Sequence, residues 1–362
     1  DVAKHQVAEA GGSAIQQAIE AGDENTAMQI MALGSASQAL ELYRDGLIDG
    51  VIVLGGTMGT DLALDLCSAL PVGAPKYIVS TVAFSPLLPP DRIPSDVQMI
   101  LWAGGLYGLN SICKASLSQA AGAVLGAARA VEAPKRDRPL IGMTSFGKTV
   151  LRYMVTLKPA LEERGFEVVV FHATGMGGRA FESLAAEGAF AAVFDFAPQE
   201  VSNHMFGGLS AGADRMTNAG RAAIPQLVAP GCYDLIDFVG WQPTPEGLKT
   251  RPSHAHNRLL SSAVLTAEER RKVAAVLCEK LSQATGPVAM LLPRKGCNEW
   301  DRPGGDLHDA DGLDAFCDAV ASHCPETVDL HVLDCHINDD AFTTSALRVF
   351  DAWLENGTVK AG

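Results

Sequence analysis

Positive charge is scarce in this sequence: 28 lysines and arginines stand against 42 aspartates and glutamates, a net charge of −14. That balance excludes nucleic acid and an anionic membrane surface as expected partners, since both are met by basic patches. The longest basic cluster, Lys135-Arg136-Asp137-Arg138, sits between prolines and reads as a solvated linker. No apolar run approaches the roughly 18 to 20 residues of a membrane span. The 8 cysteines contain no Cys-x-x-Cys pair; Cys67, Cys113, Cys278 and Cys317 lie in helix-like segments and read as small buried hydrophobes. A chain this long does not need disulfides, so a reducing cytoplasm is the expected compartment. The H-x-x-x-H and H-E-x-x-H spacings of metal sites are also missing, which disfavours that chemistry, and the turn Gly55 to Thr60 is not a Walker loop, since no Gly-Lys-Ser/Thr follows it. No signal-like segment opens the chain, and a start at Asp1 reads as an internal point of a longer protein.

What is present is apolar sequence and glycine: 48% hydrophobic residues and 36 glycines in 362 residues. This is enough for two cores with frequent tight turns. Residues 1 to 45 carry helical spacing. Gly50 to Leu54 is a continuous apolar run suited to a parallel strand buried on both faces. A glycine turn and a helix from Thr60 to Leu70 follow, then strands at Lys76 to Thr81 and Val97 to Trp102, and a helix from Leu109 to about Val131. The polar, proline-flanked stretch Pro134 to Pro139 marks a domain boundary. Beyond it, strands are expected at 140–143, 167–171, 191–194, 225–228, 288–292 and 328–333, with helices at 149–164, 178–188, 266–285, 311–323 and 339–355. Alternating β and α is the pattern of doubly wound parallel sheets. The expected fold class is therefore α/β, with two Rossmann-like domains at 1–134 and 139–356 and a cleft between them.

The turn Gly55-Gly56-Thr57-Met58-Gly59-Thr60 joins a strand to a helix. Amides at a helix N-terminus favour an anion, and glycines let the backbone approach it. The same sequence also serves as a plain βα turn. Ser80 and Thr81, at the next strand end, are placed to complete a phosphate site or to cap their own turn. In the second domain Thr144-Ser145-Phe146-Gly147-Lys148-Thr149 repeats the device. So does His172-Ala173-Thr174-Gly175-Met176-Gly177-Gly178-Arg179, with more polar groups. Gly147, Thr174, Gly175, Gly177, Gly178 and Arg179 are the expected ligand-binding positions, Arg179 through a bidentate pair with carboxylate or phosphate. Eight of the 9 histidines follow residue 171. His254 and His256 would share a strand face if that segment is extended. His172, His256, His308 and His336 fall in loop-like sequence suited to acid–base work. His172, Glu200, Asp234 and His256 are the candidates for proton transfer.

These residues resemble a known family, the Tm-one-like ATP-binding domain of the tomato mosaic virus resistance protein and its bacterial and fungal relatives. The resemblance rests on Ile48 to Val51 with the Gly55–Thr60 loop, Leu70 to Lys76, Ser80-Thr81, Gly108-Leu109-Asn110, Phe171 to Ala180 and Ile224-Pro225-Gln226. It continues through Pro230 to Asp234, His256-Asn257, Pro303-Gly304-Gly305 and His336 to Asp339, in the family's order over nearly the whole chain. It implies two α/β domains, a nucleotide site in the first, ATP with magnesium as cofactor, and a homodimer. The cofactor-binding residues would be Gly55, Gly56, Thr57, Gly59, Thr60, Ser80 and Thr81. The sequence departs from the family pattern in three ways. The opening strand with Thr-Leu-Asp-Thr-Lys-Gly is missing. Thr57 and Met58 replace Ser and Gly in the loop. Phe84-Ser85-Pro86 and Gly105 stand where carboxylates are usual. Lost carboxylates mean lost magnesium or ribose partners, which moves the expected working site to the second domain. The expected partner is a small anionic molecule, either turned over as an organic acid or held without turnover by a nucleotide-sensing or protein-sequestering module.

Overall fold

The computed structural model describes residues 2–360 except 103, 105–107, 131, 133–136 and 148–151. Gly105, Lys135, Arg136, Lys148 and Thr149 of the sequence reading therefore lie outside the described residues. The chain divides into two compact units, Asp1–Pro134 and Lys135–Gly362.

The first unit opens with three helices, α1 (Lys4–Ala10), α2 (Ile15–Ile19) and α3 (Glu24–Arg44). Asp23 caps α3 by accepting from Thr26 N at 2.8 Å. Next come β1 (Val51–Gly55), α4 (Thr57–Ala69), β2 (Lys76–Ser80), β3 (Gln98–Leu101) and α5 (Ser111–Ala130). The strands form a parallel sheet in the order β1-β2-β3. Central β2 is buried at every position, while β1 alternates half-buried and exposed residues. Ala63, Leu64 and Cys67 of α4 pack on Ile78 to form the core. The helix begins at Thr57, earlier than the sequence pattern indicated, because Gly56 already takes the cap position.

The second unit is built on β4 (Leu140–Ser145), β5 (Glu167–His172), β6 (Ala192–Asp195), β7 (Gln226–Val228), β11 (Val288–Pro293) and β12 (Val328–Leu333). All six fall where the sequence pattern places strands. They form one sheet in the order β12-β11-β7-β6-β4-β5, with every pairing parallel. Helices α6 (Arg152–Glu163), α7 (Met176–Ala186), α8 (Gln199–Phe206), α9 (Asn218–Arg221), α10 (Ala267–Ser282), α11 (Ala310–His323) and α12 (Asp340–Glu355) complete it. Side-chain alternation along β11 sends Ala289 and Leu291 into one core and Val288, Met290 and Leu292 into another. This two-sided burial is why β11 reads as an unbroken hydrophobic run. A three-stranded antiparallel ribbon was not legible in advance: β8 (Leu235–Val239), β9 (Ser253–Ala255) and β10 (Leu260–Val264), ordered β8-β10-β9. No described helix is long and apolar enough to cross a membrane.

Candidate functional site

In an open α/β sheet, ligands favour the crevice where successive connections run to opposite sides. Here that reversal lies between β4 and β6, and the chain bridges it with its own side chains. Thr144 Oγ1 donates to Asp195 Oδ1 at 2.7 Å and accepts from Ala197 N at 3.0 Å. Asp195 in turn receives Arg215 Nη1 and Nη2 at 2.5 and 2.7 Å. Arg215 is fully buried, and its Nε donates to Glu200 Oε2 at 2.7 Å. Glu182 completes the cluster 3.3 Å from Nη1 and also accepts from Met216 N and Asn218 N.

Glu200 decides what the turn before α7 can do. Its Oε1 accepts from Gly175 N at 2.6 Å and Gly178 N at 3.1 Å. The amides read from sequence as a ligand cradle are thus filled by an internal carboxylate. The glycines serve this closure. A Cβ at Gly178 would stand 1.9 Å from Glu200 Oε2, and one at Gly177 would stand 1.8 Å from His172 O. Gly175 adopts φ +88°, a conformation glycine accepts without strain. Arg179, expected to grip a ligand, pairs with Asp214 at 2.7 Å. Thr174 sits in the same turn, its amide donating to His172 O. Burial outweighs Arg215 and the Gly175 amide and pushes Glu200 up to about 7.

Asp234 is also interior. Both its carboxylate oxygens accept from Asn298 Nδ2, at 3.1 and 3.0 Å. Burial, offset in part by Arg270, raises it to about 6. Asn298 Oδ1 accepts from Trp300 N at 2.9 Å. His336 is buried with its Nε2 2.9 Å from both Asp301 Oδ1 and Asn298 O, and His308 Nδ1 contacts Asp301 O. Asp234, His308 and His336 therefore brace the loop after β11, which places the partly buried Trp300.

The open site lies at the C-terminal ends of β4 and β5, a cavity of about 330 Å³ lined by Phe146, Gly147, His172, His254, His256 and Trp300. Asn257 and Leu260 complete the lining. Gly147, φ +50°, brings its Cα beside the His172 ring; a Cβ there would lie 3.5 Å from Nε2. His254 stacks on Trp300 with ring centroids 4.3 Å apart, and His256 meets the indole edge-on at 4.6 Å. Phe146 contacts His172 at 5.8 Å and His256 at 5.5 Å. Burial, then His254 and His172, push His256 down to about 4. Three of the residues singled out from sequence, Gly147, His172 and His256, meet here; Glu200 and Asp234 do not. His254 joins from β9, adjoining His256 as the extended reading of that segment expected. Trp300 was missed, since nothing local marks a loop tryptophan as the wall of a distant histidine pair. The described residues hold no cluster of three or more His, Cys, Asp or Glu side chains able to bind a metal ion.

In the first unit the glycine turn, Ser80 and Thr81 do come together. Thr60 Oγ1 lies 2.7 Å from Ser80 Oγ and donates to Gly56 O at 2.6 Å. Thr81 N donates to Gly55 O, and a Cβ at Gly56 would meet Thr81 Oγ1 at 3.6 Å. Gly55 packs against Gly59, which leaves no room for a Cβ. No side chain caps α4, where Thr57 and Met58 are exposed.

Two family models match the chain. Residues 1–133 match the N-terminal domain, and residues 138–354 the C-terminal domain, of the uncharacterised protein family UPF0261. A UPF0261 protein of Brucella melitensis is 52% identical over 360 residues, covering 99% of this chain and 86% of the relative. One from Clostridium tetani is 35% identical over 352 residues, 96% of this chain and 86% of its own. The ToMV resistance protein Tm-1(GCR237) of Solanum lycopersicum is 32% identical over 339 residues, 90% of this chain and 44% of the tomato protein. The kinship with the tomato resistance proteins inferred from the motifs is thereby borne out.

Proposed function

This chain belongs to the UPF0261 family, and from that premise we propose that its second unit binds a small carboxylate- or phosphate-bearing molecule in the histidine cavity. One observation carries the reading: in a protein of net charge −14, the cavity is lined by three imidazoles, an amide and a glycine, without a carboxylate among its described lining residues. Among the described residues, no protein group hydrogen-bonds the ring nitrogens of His172 or His254, so these remain available to a guest. An anion between the rings favours protonation of the ring it touches, while burial foremost, then His254 and His172, keeps His256 neutral. Trp300 and Phe146 supply flat apolar walls, a combination usual in small-molecule sites.

Calorimetric titration with 2-oxo acids, dicarboxylates and phosphorylated acids tests this. Binding is expected to be at least about tenfold tighter at pH 6 than at pH 8, with proton uptake, and to weaken in H172Q and H254Q. A panel that binds nothing, or binds equally well to both variants, overturns the assignment.

For the first unit, the turn at Gly55, Gly56, Thr57, Gly59 and Thr60 is proposed to take a nucleotide phosphate, supported by the Thr60–Ser80 hydroxyl pair beside the uncapped helix start. Titration with ATP and magnesium should saturate in wild type and weaken in T60V. The alternative, a module that binds without turnover, draws its support from the resistance named in one tomato relative. It requires ligand binding with no product formed.

A further inference from the structure

His256 is one end of a hydrogen-bonded chain that runs away from the cavity. Its Nε2 lies 2.8 Å from Ser262 Oγ, and Ser262 donates its hydroxyl proton to Asp237 Oδ1. Asp237 is fixed from behind: its Oδ2 accepts from Asn203 Nδ2 at 2.9 Å and its amide donates to Asn203 Oδ1 at 2.7 Å. Ser262, Asp237 and Asn203 are all fully buried. Donor counting then fixes the imidazole. A serine hydroxyl has one proton, here given to Asp237, so its oxygen must accept from His256 Nε2–H. Neutral His256 is held as the Nε2–H tautomer, and Nδ1 is the nitrogen left with a lone pair. The arrangement orients a ring as a carboxylate does in known catalytic histidines, with a hydroxyl interposed.

The other groups of the cavity narrow the chemistry. The described lining residues offer no hydroxyl, thiol or carboxylate side chain, and among them the imidazoles are the groups able to carry a proton. His172 approaches from the end of β5, across Phe146 from His256. The groups facing His256 are His172, His254, Ser262, Phe146 and Trp300, with Asp237 behind Ser262. Aromatic walls suit a planar conjugated species.

We propose that this cavity catalyses proton transfer at the carbon next to the carbonyl of a short oxo acid, with His256 as base, His172 as acid, and Ser262 and Asp237 as positioning residues. This rests on the anion reading above. His256 Nδ1 takes the proton as the C–H bond breaks. The electron pair forms a C=C bond, and the carbonyl π pair moves onto oxygen. Protonated His172 delivers a proton to that oxygen, giving the enol. One proton leaves carbon and one arrives at oxygen, so the step is a tautomerisation that needs no oxidant or metal. Both imidazoles return to their starting states by exchange with water.

Proton NMR in deuterated buffer reads this directly. Pyruvate, 2-oxobutyrate and 2-oxoglutarate serve as probes, with binding of each measured in parallel by calorimetry. Wild type is expected to exchange the protons next to the carbonyl at least about tenfold faster than buffer, H256Q at the buffer rate, and H172Q about 10²-fold below wild type. S262A and D237N should lower kcat about tenfold or more while KM stays within about twofold, with a displaced pH profile, because the tautomer is no longer fixed. H256Q changes a half-buried ring, and it decides the question if the buried variants do not fold. Binding without exchange in wild type, or exchange undiminished in H256Q, overturns proton transfer alone. Failure of every probe to bind overturns this proposal, and the anion reading falls with it if the dicarboxylates and phosphorylated acids fail to bind as well.

Discussion

In the turn that starts α4, Gly55 lies against Gly59 and no side chain caps the helix. In the turn that starts α7, Gly178 lies against Glu200, whose carboxylate takes two of the turn's amides. Both are strand, glycine turn and helix, and both present backbone amides at a positive helix end. The difference comes from α8, thirteen residues beyond the end of α7, which carries Glu200 back onto the turn with Arg215 behind it. A glycine-rich turn is thus a socket whose occupant is chosen elsewhere in the chain. In the second unit the occupant is internal, and the open cavity lies at the neighbouring β4 and β5 ends.

The comparison can be broken most forcefully at Arg215. R215M leaves Asp195, Glu200 and Glu182 buried without a counter-charge, and the expected loss is about 3–5 kcal/mol of stability in urea titrations. A loss below about 1 kcal/mol would show that water reaches the cluster. G178A comes next. Its methyl would occupy the place of Glu200 Oε2, and about 2–3 kcal/mol is expected from overpacking and displaced hydrogen bonds. Combining it with E200A should recover part of that loss, as residues in contact do. Strict additivity of the two changes would separate the turn from Glu200.

A pH series sharpens the same point. Glu200 is raised from 4.5 to about 7 by burial, so between those values the folded protein binds more protons than the unfolded chain. Its contribution to stability is therefore fully present below about pH 4.5 and falls as pH rises to about 7, by up to roughly 1 kcal/mol per pH unit. E200Q removes this slope, and thermal melts from pH 5 to 7 that run parallel in both proteins would refute it. The smallest effect is expected at G56A. The added methyl meets only Thr81 Oγ1 at 3.6 Å, and stability should change by less than about 1 kcal/mol. A loss as large as that of G178A would mean that the first turn is filled as well.

Much of the fold was readable because parallel strands buried on both faces leave continuous apolar runs. Leu140–Ser145 and Val288–Pro293 stand out on that ground. The ribbon of β8, β9 and β10 did not, since its strands are short, mix polar with apolar residues and take their register from one another. At the site, His172 and Gly147 were legible as residues at the ends of neighbouring strands, and His256 by its place in a histidine-rich segment. Asp237, Ser262 and Trp300 carried no local sign. Their roles depend on a hydroxyl meeting a ring across two strands, and on a loop pinned by Asp234 and His336.

Sequence alone settled the class of the molecule: two α/β units, strands ending in glycine turns, and an acidic chain with histidines gathered in its second part. These follow from hydrophobic period and backbone stereochemistry, which act over a few residues. Tertiary structure alone decided which turn was sealed and which rings were left facing a cavity. Those outcomes hinge on where distant charges come to rest, and a buried carboxylate such as Glu200 settles wherever amides and Arg215 can satisfy it.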